Sequence, residues 1–99
     1  MSSSWEKIKK YIGKEVIYDD DKKAHIYKIT SYDICIQTAE NRWWSYKTGN
    51  GTNDNAVARG DIRFVDESLK EQFVQEYEEY IHSESGQIEA YAYYSQIYD

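Results

Sequence analysis

The sequence predicts an α+β fold: a small antiparallel β-meander, bent into a curved sheet or partial barrel, with a short N-terminal helix, a long acidic C-terminal helix and a final strand. Three observations predict it. Short β-branched and aromatic runs separated by polar turns fill residues 14–47 and 61–65. An apolar stripe with a spacing of four, Leu69, Phe73, Tyr77 and Ile81, then marks one face of a helix. The composition, 40% hydrophobic and 16% aromatic, is that of a chain that folds. Ninety-nine residues suit a single domain over 1–99, burying roughly two-thirds of its unfolded surface.

Each element has a local reason. Ser3 and Glu6 have capping-box spacing, and Trp5, Ile8 and Ile12 fall on one side of a helix that Gly13 ends. At about nine residues this helix is marginal alone and must dock through Trp5 and Ile8. Lys14 to Tyr18 reads as a strand, the charged run Asp19 to Lys23 as a turn, and His25 to Ser31 as a second strand. Tyr32-Asp33 turns the chain into a third, Ile34 to Ala39. Glu40-Asn41 then turns it into a fourth, Arg42 to Lys47, where alternation points Trp44 and Tyr46 to the core and Trp43 away.

Thr48 to Gly60, rich in glycine and asparagine, reads as an exposed, mobile loop. Asp61 to Val65 resumes as a strand. The long helix lies within Asp66 to Gly86, with Asp66 as N-cap and a second capping-box spacing from Ser68 to Glu71. Gln87 to Tyr98 alternates like a strand. Five short strands before a long helix resemble an SH3-like barrel with the helix packed on its open side.

Charge is unevenly spread. The net −6 divides into +2 over residues 1–30, 0 over 31–65 and −8 over 66–99. This balance argues against a duplex-DNA binder, which needs cations to displace counterions. The one cysteine, Cys35, forms no internal disulfide, and no apolar run is long enough for a membrane span or a secretory segment. The expectation is a cytoplasmic protein, monomeric or paired into a homodimer through an exposed strand edge such as Gln87 to Tyr98.

Catalytic signals are weak. His25 and His82 stand apart, and Cys35 sits in an apolar strand as a small buried side chain would. Asp19-Asp20-Asp21 and Asp54 offer oxygen ligands without EF-hand spacing, and Gly49 to Gly51 lacks the ending of a phosphate loop. Asn50-Gly51-Thr52 has the glycosylation pattern, read as incidental. No catalytic residue, metal or cofactor is assigned. Arg42 to Lys47 has the local character of a base-stacking platform, against an unfavourable overall charge.

The C-terminal third carries the functional expectation. Glu71, Glu76, Glu78 and Glu79, with Glu84 just beyond, form an acidic ridge with only Lys70 on that stretch to offset them. Carboxylates one helical turn apart lie about 5–6 Å from one another, near the spacing of phosphates along a strand. Tyr91, Tyr93 and Tyr98, with Trp43, would add aromatic contact area. In composition the chain resembles small acidic counter-defence proteins of phages and mobile elements, and the immunity proteins that block nucleases. The resemblance implies a non-enzymatic inhibitor of the anti-CRISPR kind. It would act as a nucleic-acid mimic that sequesters a partner with a basic surface, such as a nuclease or a CRISPR effector. The alternatives are a peptide-reading SH3-like module using Trp43, Trp44 and the 48–60 loop, or a small enzyme with His25 or Cys35 in a pocket.

Overall fold

The chain enters as helix α1 (Ser4–Ile8), which tightens into a 3-10 turn over Lys9–Tyr11, in the computed structural model of residues 4–49 and 53–82. Five strands follow: β1 (Glu15–Tyr18), β2 (Lys22–Ile29), β3 (Asp33–Thr38), β4 (Trp43–Lys47) and β5 (Ile62–Phe64). A four-residue helix, α2 (Ala56–Arg59), lies between β4 and β5, and α3 (Leu69–Ile81) comes last. The fold is α+β. The sheet is antiparallel throughout and ordered β4-β3-β2-β1-β5, so the first four strands form a meander and the fifth returns beside the first.

The sheet is bent and open. Its register shifts between Ile26 and Lys28 where β2 meets β3, a bulge that increases local curvature. The β4 and β5 edges do not pair among the described residues; a side chain spans them instead. Arg59 donates through Nη2 to the Lys47 carbonyl at 2.8 Å, ending β4, and through Nε to Asp61 at 2.9 Å, just before β5. Its Nη1 holds Asp54 at 2.8 Å.

One apolar cluster fills the concave side. Val16, Ile26, Ile34, Ile36, Ile62 and Phe64 come from the sheet, and Phe73, Tyr77 and Tyr80 from α3. The period-four stripe therefore does what its spacing predicts. Phe73 stacks on Tyr77 at 5.4 Å and meets Phe64 and Tyr11 edge-on. The Tyr77 hydroxyl gives its one hydrogen to the Thr30 carbonyl at 2.7 Å, so Thr48 must be the donor in its 2.6 Å bond to Tyr77. That pair of bonds ties α3 to the ends of β2 and β4.

Several local expectations need correcting. Tyr11, not Ile12, follows Ile8 into the core, because the 3-10 turn places i and i+3 in line and leaves Ile12 in extended backbone at the surface. Strand β2 begins at Lys22, three residues before His25; Asp19 and Asp20 take left-handed conformations and make the reversal within three residues. Thr48 to Gly60 is not simply a mobile loop. Asn55 is buried and accepts from the Val57 and Ala58 amides, Gly60 closes the turn at φ +86°, and Ala56 and Val57 enter the core.

At the start of α3 the Asp66 carboxylate accepts from the Ser68 amide and hydroxyl, holding its pKa below the usual range. Ser68 makes no cap bond of its own, so the second capping box does not form. The final strand read at Gln87 to Tyr98, and Gly86, lie outside the described residues.

Candidate interaction surfaces

Helix α3 turns its carboxylates to two sides, and most of them meet their own chain. On the side facing α1, Glu76 accepts from the Tyr11 hydroxyl at 2.6 Å and pairs with Lys10 at 3.1 Å, leaving its side chain 13% exposed. Burial alone raises the Glu76 pKa, but the bonds from Tyr11, Lys10 and Gln72 outweigh it and the net shift is downward. The Tyr11 hydroxyl is pushed the other way, by burial first and then by the adjacent carboxylate. Glu79 pairs with Lys7 at 3.7 Å, both side chains about half exposed.

On the opposite side, Glu78 accepts from the Asn53 amide at 3.0 Å and its side chain is 17% exposed. His82 lies 4.0 Å away. Glu71 stays exposed. The acidic stretch is thus offset by Lys7 and Lys10 as well as by Lys70. Lys7 and Lys10 sit more than sixty residues earlier in the chain and reach α3 where Trp5 packs on Tyr80, with ring centroids 5.9 Å apart. Glu84, Tyr91, Tyr93 and Tyr98 lie outside the described residues.

The outer strand β4 is the contrasting surface. Trp43 is 56% exposed, turned to the convex side and edge-on to Tyr27 at 6.5 Å, as alternation predicts. Trp44 corrects the expectation. It lies opposite Ile36 on the same face, yet remains 52% exposed where Ile36 is fully buried, because β4 is the outer strand of the described sheet. Tyr46, two residues on, does reach the core cluster. Arg42 and Lys47 bracket the strand, which itself contains no carboxylate. Lys47 lies 3.9 Å from Asp33 and is otherwise open to solvent.

The Asp33 carboxylate is buried and accepts from Thr30 at 2.6 Å, Ser45 at 2.8 Å and the Cys35 thiol at 3.6 Å. Cys35 is itself buried. Its pKa is raised, chiefly by burial and next by the Asp33 charge, which keeps it a thiol and a poor nucleophile.

A cleft of about 450 Å³ opens between α2, β5 and the start of α3, bordered by Val57, Ile62, Phe64, Lys70 and Glu71. His25 borders a separate, shallower depression of about 290 Å³ with Glu15, Lys23 and Gln37. Among the described residues no three His, Cys, Asp or Glu side chains group as metal ligands, and no helix is long and apolar enough to cross a membrane. Comparison with protein-family models, curated proteins and solved structures finds no match to this chain.

Sequence reasoning passed over the Arg59 fork and the Tyr11–Glu76 clamp, whose partners have no characteristic spacing. A signal for the outer position of β4 was present in Arg42 and Lys47, since terminal cations are a common device on edge strands.

Proposed function

We propose that this is a non-enzymatic binding protein that docks a protein partner on β4, with Trp43 and Trp44 as anchors. The observation that carries the reading is the pair of tryptophans, each more than half exposed, on one outer strand. A folded chain gains little stability from side chains so placed, whereas tryptophans desolvated by a partner are the commonest energetic anchors of interfaces. The test compares capture from host lysate by the natural chain and by the Trp43→Ala/Trp44→Ala variant. The variant should fold normally and bind the retained partner at least ~30-fold more weakly, from a loss of about 2 kcal/mol or more. Equal capture by both proteins would end the proposal.

A second reading is favoured by the exposed Glu71 and the half-exposed Glu79 on a chain of net charge −6. Here the protein sequesters a basic partner in the cytoplasm, as a counter-defence inhibitor of a CRISPR effector or an immunity protein of a nuclease would. Glu71→Lys/Glu79→Lys is the variant to use, because Glu76 and Glu78 also hold the fold. Loss of capture in this variant, with the tryptophan variant unaffected, would select the electrostatic reading.

A further inference from the structure

Which backbone groups β4 leaves open follows from two hydrogen bonds at its ends. The Thr38 amide donates to the Arg42 carbonyl at 2.8 Å, and the Thr48 amide donates to the Tyr32 carbonyl at 2.8 Å. In an antiparallel ladder, pairs that exchange hydrogen bonds alternate with pairs that do not. Residues 42, 44, 46 and 48 therefore turn their amides and carbonyls toward β3, and residues 43, 45 and 47 turn theirs outward. The Lys47 carbonyl is taken by Arg59. Among the described residues this leaves the amide and carbonyl of Trp43, those of Ser45 and the amide of Lys47 presented along an exposed edge.

We infer that the ligand of this edge is an extended peptide segment with an apolar centre and acidic flanks, added to β4 as a further strand. The inference rests on the proposed docking at Trp43 and Trp44 and specifies its mode and chemistry. Main-chain bonds to residues 43 and 45 supply the register. The two tryptophans stand on opposite faces of β4, so each covers one face of the incoming strand near its middle. Arg42 and Lys47 flank the tryptophans on a strand that has no carboxylate of its own, and Lys47 stays 76% exposed beside the buried Asp33, so the segment's ends are recognised as acidic. Along the sequence the excess of negative charge falls outside residues 42–47, with −8 over residues 66–99.

The test follows amide hydrogen exchange of the full-length protein with the probe acetyl-Glu-Glu-Val-Thr-Val-Glu-Glu-amide. At about ten times its Kd the probe should slow exchange at Trp43 and Ser45 about tenfold. Trp44 and Tyr46, already bonded to β3, should change little. A probe with lysine for every glutamate should bind at least ~10-fold more weakly, a difference of about 1.4 kcal/mol. A probe N-methylated at alternate amides on its β4-facing edge should lose the protection.

Four results would overturn the inference. Trp43 and Ser45 amides already slow in the free protein would mean the edge is covered by the chain's own remaining segment or by a second copy. Equal binding of the lysine probe would remove the charge argument. Altered tryptophan fluorescence without amide protection would mean side-chain docking without strand addition, leaving the tryptophan-anchor reading intact. No binding at all would mean that Arg42 and Lys47 guard the edge against pairing, and docking at Trp43 and Trp44 would then be judged by lysate capture alone.

Discussion

The outer flank of α3 and the edge of β4 hold the two kinds of residue that draw attention in this chain, acids and tryptophans, and the fold treats them oppositely. Glu76 and Glu78 are seated and bonded, and Glu79 meets Lys7, so three of the carboxylates answer first to their own chain. Trp43 and Trp44, the side chains most expected to be used up by a core, stand in solvent. Formal charge is therefore a poor guide to the field a partner meets, and aromatic mass is a poor guide to burial. What decides both is the layer opposite each side chain.

The largest effect expected of any single change lies beneath this contrast. Phe73 is fully buried and packs against Tyr11, Phe64 and Tyr77. Phe73→Ala should cost about 3–5 kcal/mol in chemical denaturation, because the lost transfer energy adds to a cavity that the three surrounding rings cannot close. Trp43→Ala, which removes a larger side chain, should cost about 0.5 kcal/mol or less, as is usual for exposed positions. If the two costs were similar, Trp43 would be a structural residue and the contrast would fail.

The next effect concerns the clamp that turns Glu76 inward. Tyr11→Phe removes a bond to a charged, mostly buried acceptor and should cost about 1.5–3 kcal/mol at neutral pH. Its pH dependence has a definite sign. The folded-state pKa of Glu76 is depressed, so its contribution is fully present above the ordinary glutamate value of about 4.3 and is lost as pH falls through the folded value. The difference between the natural chain and Tyr11→Phe in denaturant midpoint should therefore shrink as pH falls below about 4. A difference independent of pH would mean that the Tyr11 hydroxyl stabilises the fold without regard to the charge on Glu76.

A further, modest effect tests how the end of β4 is held. Arg59 holds Asp54, Asp61 and the Lys47 carbonyl with three separate nitrogens, a fork that lysine cannot copy. The ion pairs are partly exposed, so Arg59→Lys should cost only about 1 kcal/mol. The informative readout is exchange at the Thr48 and Gly49 amides, bonded to Tyr32 and Asp54, which should speed up relative to β2 and β3. Unchanged rates there would show that the strand end is held without Arg59.

The legible parts of this fold are those that depend on neighbours in sequence. Phe73 and Tyr77 could be assigned to the inner face of α3 because a period near four suits one side of a helix. Asp66, read as its cap, does bond the Ser68 amide two residues on, but the cap position itself falls on Ser68. The strands of the meander were legible from β-branched runs and short turns, although Asp19 and Asp20 made the first turn tighter than a five-residue charged run suggests. The 56–59 helix was obscured by the polar run before it, whose Asn55 is a buried cap rather than a loop residue.

By itself the sequence determined which residues share a face of the strands and of α3, and that the acids gather in the last third. Those properties follow from backbone periods and from side-chain bonds across a few residues. Only the tertiary structure decided which faces are covered. Strand order put β4 on the outside, so Trp44 shares a face with Ile36 and escapes its burial. Packing brought Tyr11 to Glu76 across 65 residues and turned a surface acid into an anchored one. Alternation says which side a residue takes; a second layer, built from distant sequence, says whether that side is wet.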